Sequence, residues 1–116
     1  MQSTAQQRKC IDQCQECSRL CTELVDHCLR KGGEHAEAGH IRLLLDCAQI
    51  CRTSADFMLR GSDLHTATCE ACAEVCARCA DDCERFSDDE AMKKCAAACR
   101  SCAEACRSMS GAGAAH

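Results

Sequence analysis

Residues 69–83 read Cys69-Glu-Ala-Cys72-Ala-Glu-Val-Cys76-Ala-Arg-Cys79-Ala-Asp-Asp-Cys83. The cysteines recur at alternating spacings of three and four. At about 100° per residue, such a set falls within a stripe narrower than about 90° on one face of a helix. That stripe is the a/d seam of a bundle helix, the face that points inward. Thiols therefore stand where a bundle normally places Leu. The charges around them, among them Asp81, Asp82, Glu84 and Arg85, read as a solvated face.

The same rhythm runs through two further segments. Cys10, Cys14, Cys17, Cys21 and Cys28 form one ladder, with Leu24 on the skipped rung; Cys95, Cys99, Cys102 and Cys106 form another. A fourth segment is poorer. It has only Cys47 and Cys51, on a seam that extends through His40, Leu44, Ser54 and Met58. The same register adds His65 and Phe86 to the Cys69 ladder, and Met92 and Met109 to the last.

Three breaks separate the segments. Gly32-Gly33 is a C-cap signal. Gly61-Ser62-Asp63 offers Ser62 as an N-cap. Ser87-Asp88-Asp89-Glu90 fits a capping box with Ser87 as N-cap, and Ser3 with Gln6 fits another at the start. Helices are expected over 4–31, 34–60, 63–86 and 88–109. Short linkers favour antiparallel neighbours. The expectation is an all-α fold: an antiparallel up-down-up-down four-helix bundle over residues 1–109 with a Cys-lined core. Residues 110–116, small and polar, are expected to be a disordered C-terminal tail.

Composition agrees. Sixteen of 116 residues are Cys, beyond the roughly 8–10% at which cysteine stops being ordinary core filling. Leu, Ile, Val and Phe are scarce, Trp and Tyr absent, and Ala abundant. There is no proline. The formal charge is −4 with acids and bases interleaved, which argues against a nucleic-acid surface or a polybasic membrane patch. No stretch approaches the roughly 18 apolar residues of a membrane span. The N-terminus carries neither an apolar h-region nor a twin-Arg pair. A cytoplasmic location is therefore expected, where thiols stay reduced and a Cys-rich chain reads as metal-binding. Disulfide stapling, a purely structural or redox thiol protein, and a metallothionein-like Zn or Cd buffer stand as alternatives. No arrangement of residues points to an enzyme.

Folding the seams together gathers Cys10, Met58, His65, Cys69, Cys106 and Met109 at one bundle end. Cys28, His40, Leu44, Cys83, Phe86, Met92 and Cys95 gather at the other. Metal is expected to enter at the first end, near Met58, His65 and Met109, because the second is narrowed by Leu44 and Phe86. His40 reads as structural or as part of the rim. His27 and His35 read as solvated, and His116 belongs to the tail.

Thiolates and thioethers are soft ligands that select Cu(I), Zn or Fe–S clusters. Structural Zn sites use short Cys/His pairs brought together by turns, and Fe–S runs wrap loops around the cluster. Here the cysteines lie on uninterrupted helices. Cu(I) accepts two or three ligands, and thiols at i and i+3 or i+4 start about 5–6 Å apart at Cβ. If each ion uses two thiolates and each thiolate bridges two ions, the chain holds roughly one Cu(I) per Cys. One cation per thiolate also cancels the buried charge. The seams are amphipathic without metal, so a metal-free bundle is expected to fold as well.

The repeated Cys-x₃-Cys-x₂-Cys-x₃-Cys of Cys10–Cys21 and Cys95–Cys106, with the longer Cys69–Cys83 ladder, resembles the bacterial copper storage proteins. The resemblance covers residues 4–109. It implies a four-helix bundle whose core fills with thiolate-bound Cu(I), with a few His or Met ligands at one mouth. It also implies a homo-oligomer, commonly a tetramer of bundles. The sparse second helix, interrupted by Leu44 and Ser54, departs from a full ladder.

Overall fold

The computed structural model describes residues 4–110. Four helices follow in order: α1 (Ala5–Lys31), α2 (Ala38–Leu59), α3 (His65–Cys83) and α4 (Glu90–Met109). Each packs on two neighbours in the cycle α1–α2–α3–α4. Cross-helix sulfur contacts fix the directions. Cys10 meets Cys106 and Cys21 meets Cys95, so α1 and α4 are antiparallel; Cys51 meets Cys76 and Met58 meets Cys69, so α2 and α3 are too. The up-down-up-down bundle is as expected.

A Cys-Ala pair recurs at 47–48, 72–73, 79–80, 95–96 and 102–103, with both residues buried. The cysteine takes the inward seam, and the following alanine lies beside it, where a larger side chain would hold the next helix away. On α1 the matching residue after Cys17 is Ser18, whose hydroxyl donates to the Ala48 carbonyl at 2.9 Å and ties α1 to α2.

The helix ends depart from expectation. Thr4, not Ser3, caps α1: its Oγ1 accepts from the Gln7 N–H at 3.0 Å. Ser3 lies outside the described residues. Gly32 and Gly33 both have positive φ (73° and 57°), the backbone glycine adopts without strain. They turn the chain into a short 3₁₀ helix, Gly33–Ala36, and the extended Glu37 delays α2 to residue 38. Ser62 does accept a local bond from the Leu64 N–H, but the chain makes one more turn before α3 begins at His65. α3 stops at Cys83, where 3₁₀-type bonds from Arg85 and Phe86 tighten the last turn. The Ser87 box does not form. Asp89 is the N-cap of α4, its carboxylate accepting from the Ala91 N–H at 3.0 Å, because the chain closes a turn from the Asp89 N–H to the Phe86 carbonyl first. Ser110 was expected in the tail; it is buried and its hydroxyl donates to the Arg107 carbonyl. Residues 111–116 lie outside the described residues.

Candidate metal centre

All sixteen cysteines are buried and free, none more than 1% exposed. Their sulfurs form a nearly continuous chain along the bundle axis. Cys10 and Cys14 lie 3.7 and 3.5 Å from Cys106, and Cys14 lies 3.7 Å from Cys102. In the middle, Cys51 lies 3.4 Å from Cys76, Cys76 3.6 Å from Cys47, and Cys17 3.6 Å from Cys99. The chain continues to Cys21 and Cys95. These are van der Waals and weak S–H···S distances, well beyond the roughly 2.05 Å of a disulfide.

Five sets of sulfurs converge to within 4.8 Å of one another. They are Cys10/Cys69/Cys106, Cys14/Cys72/Cys102/Cys106, Cys51/Cys72/Cys76/Cys102, Cys17/Cys47/Cys51/Cys76 and Cys17/Cys21/Cys47/Cys99. Seven cysteines belong to two sets: Cys17, Cys47, Cys51, Cys72, Cys76, Cys102 and Cys106. The poor second helix thus supplies two of the most connected thiols. Its weakness in the sequence was a matter of number, whereas antiparallel packing puts Cys47 and Cys51 at the middle of the array.

Proton sharing runs through the array. Bonds that favour the thiolate hold a thiol down, and bonds that favour its protonated form push it up. Bonding with Cys106 and Cys14 holds Cys102 down at about 7. Cys99 and Cys51 are pushed up, chiefly through their bonds to Cys17 and Cys102 respectively. A soft cation that replaces these protons removes the conflict between neighbouring thiolates.

The two ends carry other donors. Met58 is fully buried, its Sδ 4.0 Å from Cys69 Sγ. His65 is half-buried. Its Nδ1–H donates to the Ser62 carbonyl at 2.7 Å, which leaves the Nε2 lone pair available. Met109 packs part-buried against the edge of the core.

At the far end, Cys28 belongs to none of the five sets. Its sulfur lies 3.4 Å from His40 Nε2 and 3.6 Å from Met92 Sδ. His40 Nδ1 donates to the Asp82 carboxylate, which fixes the tautomer and turns Nε2 toward Cys28. Burial pushes the Cys28 thiol up to about 11, and the Asp89 charge adds to it. A thiol, an imidazole and a thioether therefore meet at one point. The sequence held the signal for His40 and Met92, since both lie on the seams; nothing marked Asp82, which lies off them.

Asp89 collects His27 (2.7 Å) and His35 (3.2 Å) on one carboxylate oxygen. Neither histidine is simply solvated, because the 3₁₀ turn carries His35 onto Phe86, with ring centroids 4.1 Å apart. Phe86 in turn lies 5.0 Å from the His40 ring. Phe86 and His35 thus cover this end, as the Phe86 position suggested. Burial pushes the Asp89 carboxyl up, but the His27 bond and charge and the Met92 and Ala91 N–H groups outweigh it and hold it at about 2.

The fold resembles those of solved proteins. A protein of Nitrosospira multiformis superposes with a TM-score of 0.87 at 44% identity, over 96% of this chain and 97% of that one. The Cu(I)-bound copper storage protein 3 of Bacillus subtilis gives 0.84 at 34% identity, over 90% and 98%. A cytosolic copper storage protein of Streptomyces lividans, in a structure of its copper loading, gives 0.83 at 35% identity, over 90% and 91%. An uncharacterised cysteine-rich protein of Bacillus subtilis (strain 168) is 36% identical over 66 residues, 57% of this chain. The chain matches about three fifths (61%) of the length of that curated relative. The sequence pattern of the copper storage proteins matches residues 3–111. With its ladders, its buried thiols and these relatives, the chain belongs to the copper storage protein family.

Proposed function

We propose that this chain stores Cu(I), roughly one ion per cysteine when loaded, on thiolates inside the bundle. The observation that carries the reading is the sharing of sulfurs: seven cysteines each belong to two converging sets. Shared thiolates suit a soft ion of low coordination number that accepts bridging ligands. Zn(II), which takes four ligands per ion, would use the same thiols to hold far fewer ions. The metal-loaded relatives from Bacillus and Streptomyces support the same choice.

The chain acts as a store rather than an enzyme: its cargo is copper, and its buried groups are ligands. The cytosolic Streptomyces relative supports a cytoplasmic location, and no described helix is long and apolar enough to cross a membrane. Copper enters at the end with Met58, His65 and Met109. Two thioethers and a free imidazole nitrogen there can pass an ion inward to Cys69, and Phe86 covers the opposite end. The family resemblance supports assembly as a homo-oligomer.

Anaerobic titration of the reduced protein with Cu(I), and separately with Zn(II), tests the reading. About one Cu(I) per Cys is expected, against about one Zn(II) per four Cys or fewer. Saturation at one or two Cu(I) would point to a carrier or sensor instead.

A further inference from the structure

Ser54 is fully buried, and among the described residues its hydroxyl has no hydrogen-bond partner. Buried hydroxyls nearly always have one, so an orphan needs a reason. Ser54 sits on the inward seam of α2, three residues after Cys51 and four before Met58. Cys51 touches Cys72 at 3.7 Å and Met58 touches Cys69 at 4.0 Å, so Ser54 faces the level of Cys69 and Cys72 on α3. At this level α2 supplies no thiol. The two sets nearest the Met58 end, Cys10/Cys69/Cys106 and Cys14/Cys72/Cys102/Cys106, draw only on α1, α3 and α4. The α2 corner beside them holds a hydroxyl instead.

A neutral thiol is a weak acceptor and offers this hydroxyl little. A thiolate is a strong one, and its hydrogen bonds are charge-assisted. We propose that Ser54 is a positioning residue for bound copper: its O–H donates to a copper-bound thiolate of Cys69 or Cys72, a bond made only when the store is loaded. The inference rests on the Cu(I)-storage reading. It makes the outer level a place where three helices supply sulfur and the fourth stabilises the thiolate charge. An ion in the terminal Cys10/Cys69/Cys106 set meets three sulfurs where the middle sets offer four, and the Ser54 bond slows loss from this level.

Two measurements on Ser54→Ala, with Ser54→Thr as the variant that keeps the hydroxyl, test this. The first is thermal unfolding of the metal-free protein. Removing an unpartnered buried hydroxyl should leave the midpoint unchanged or raise it. The second is removal of Cu(I) from the loaded protein by excess bathocuproine disulfonate, followed in time. The fraction lost first should leave about tenfold faster from Ser54→Ala, the change expected for one charge-assisted bond, and Ser54→Thr should restore the slower rate. Ser54→Cys should raise capacity by about one ion. Copper leaving Ser54→Ala at the unaltered rate overturns the proposal. So does a lowered metal-free midpoint, because the hydroxyl would then serve the fold itself. If the unaltered chain binds only one or two Cu(I), the storage reading fails first, before any variant is compared, and this inference falls with it.

Discussion

At the Met58 end of the bundle, Cys10, Cys69 and Cys106 converge within 4.8 Å, and a thioether lies 4.0 Å from Cys69. At the His40 end, Cys28 stands outside every sulfur set and meets an imidazole and a thioether instead, beneath Phe86 and His35. The same four seams build both ends. What differs is the residue type on the last rungs and the way the connections close. The α2–α3 turn leaves the first end with donors facing the array. The 3₁₀ turn and the Asp89 cap fold aromatic and carboxylate groups over the second. One end continues the thiol array; the other closes it with a single mixed site.

That contrast can be broken most sharply by deleting one thiol at each end. Cys106 belongs to two sets, so Cys106→Ala should lower capacity by about two Cu(I). Cys28→Ala should lower it by about one or none, counted in the same anaerobic titration. Equal losses would mean that the two ends bind alike. His40→Ala comes next. It removes a buried ring that touches Cys28, Asp82 and Phe86, so the metal-free protein should lose about 2 kcal/mol, read from denaturant unfolding. Loading should be little changed if copper enters at the other end. Alanine at Met58, His65 and Met109 together should slow loading about tenfold in stopped-flow, equivalent to losing roughly 1.4 kcal/mol of ligand interaction, while most of the capacity survives. Unchanged loading would refute the assignment of the mouth.

The smallest effect concerns Asp89. Its folded pKa, about 2, lies below the unfolded value of about 3.9. Its stabilisation is therefore present above about pH 4 and is lost as pH falls through about 2. Asp89→Asn keeps a capping side chain but loses the charge. It should cost about 1 kcal/mol at pH 7, with the gap from the unaltered protein closing toward pH 2. A gap that stays constant with pH would show that the carboxylate charge is not what holds this end.

Much of this contrast could be read from spacing alone. Period-3.6 thiol ladders identify the inward face directly, and short linkers dictate antiparallel order, so Cys10 could be brought to Cys106 and Met58 to Cys69 without coordinates. Helix ends were harder. Ser87 and Asp89 are both good caps, and only the turn from Phe86 to Asp89 decides between them. His27 lies off its seam and His35 reads as a first-turn residue of the second helix, so both are assigned to solvent, whereas a connection outside the helical rhythm brings both to Asp89. The importance of Cys47 and Cys51 was invisible for a related reason. A ladder is counted along one helix, but membership in shared sets is a property of four.

Anomalous diffraction at the copper edge from crystals of the fully loaded protein locates the bound ions themselves. Storage on shared thiolates requires a row of peaks along the bundle interior, densest where sulfur sets overlap around Cys51, Cys72, Cys76 and Cys102, with one separate peak at Cys28, His40 and Met92. Copper confined to one or two sites, or bound on the surface with the interior thiols left empty, would contradict it.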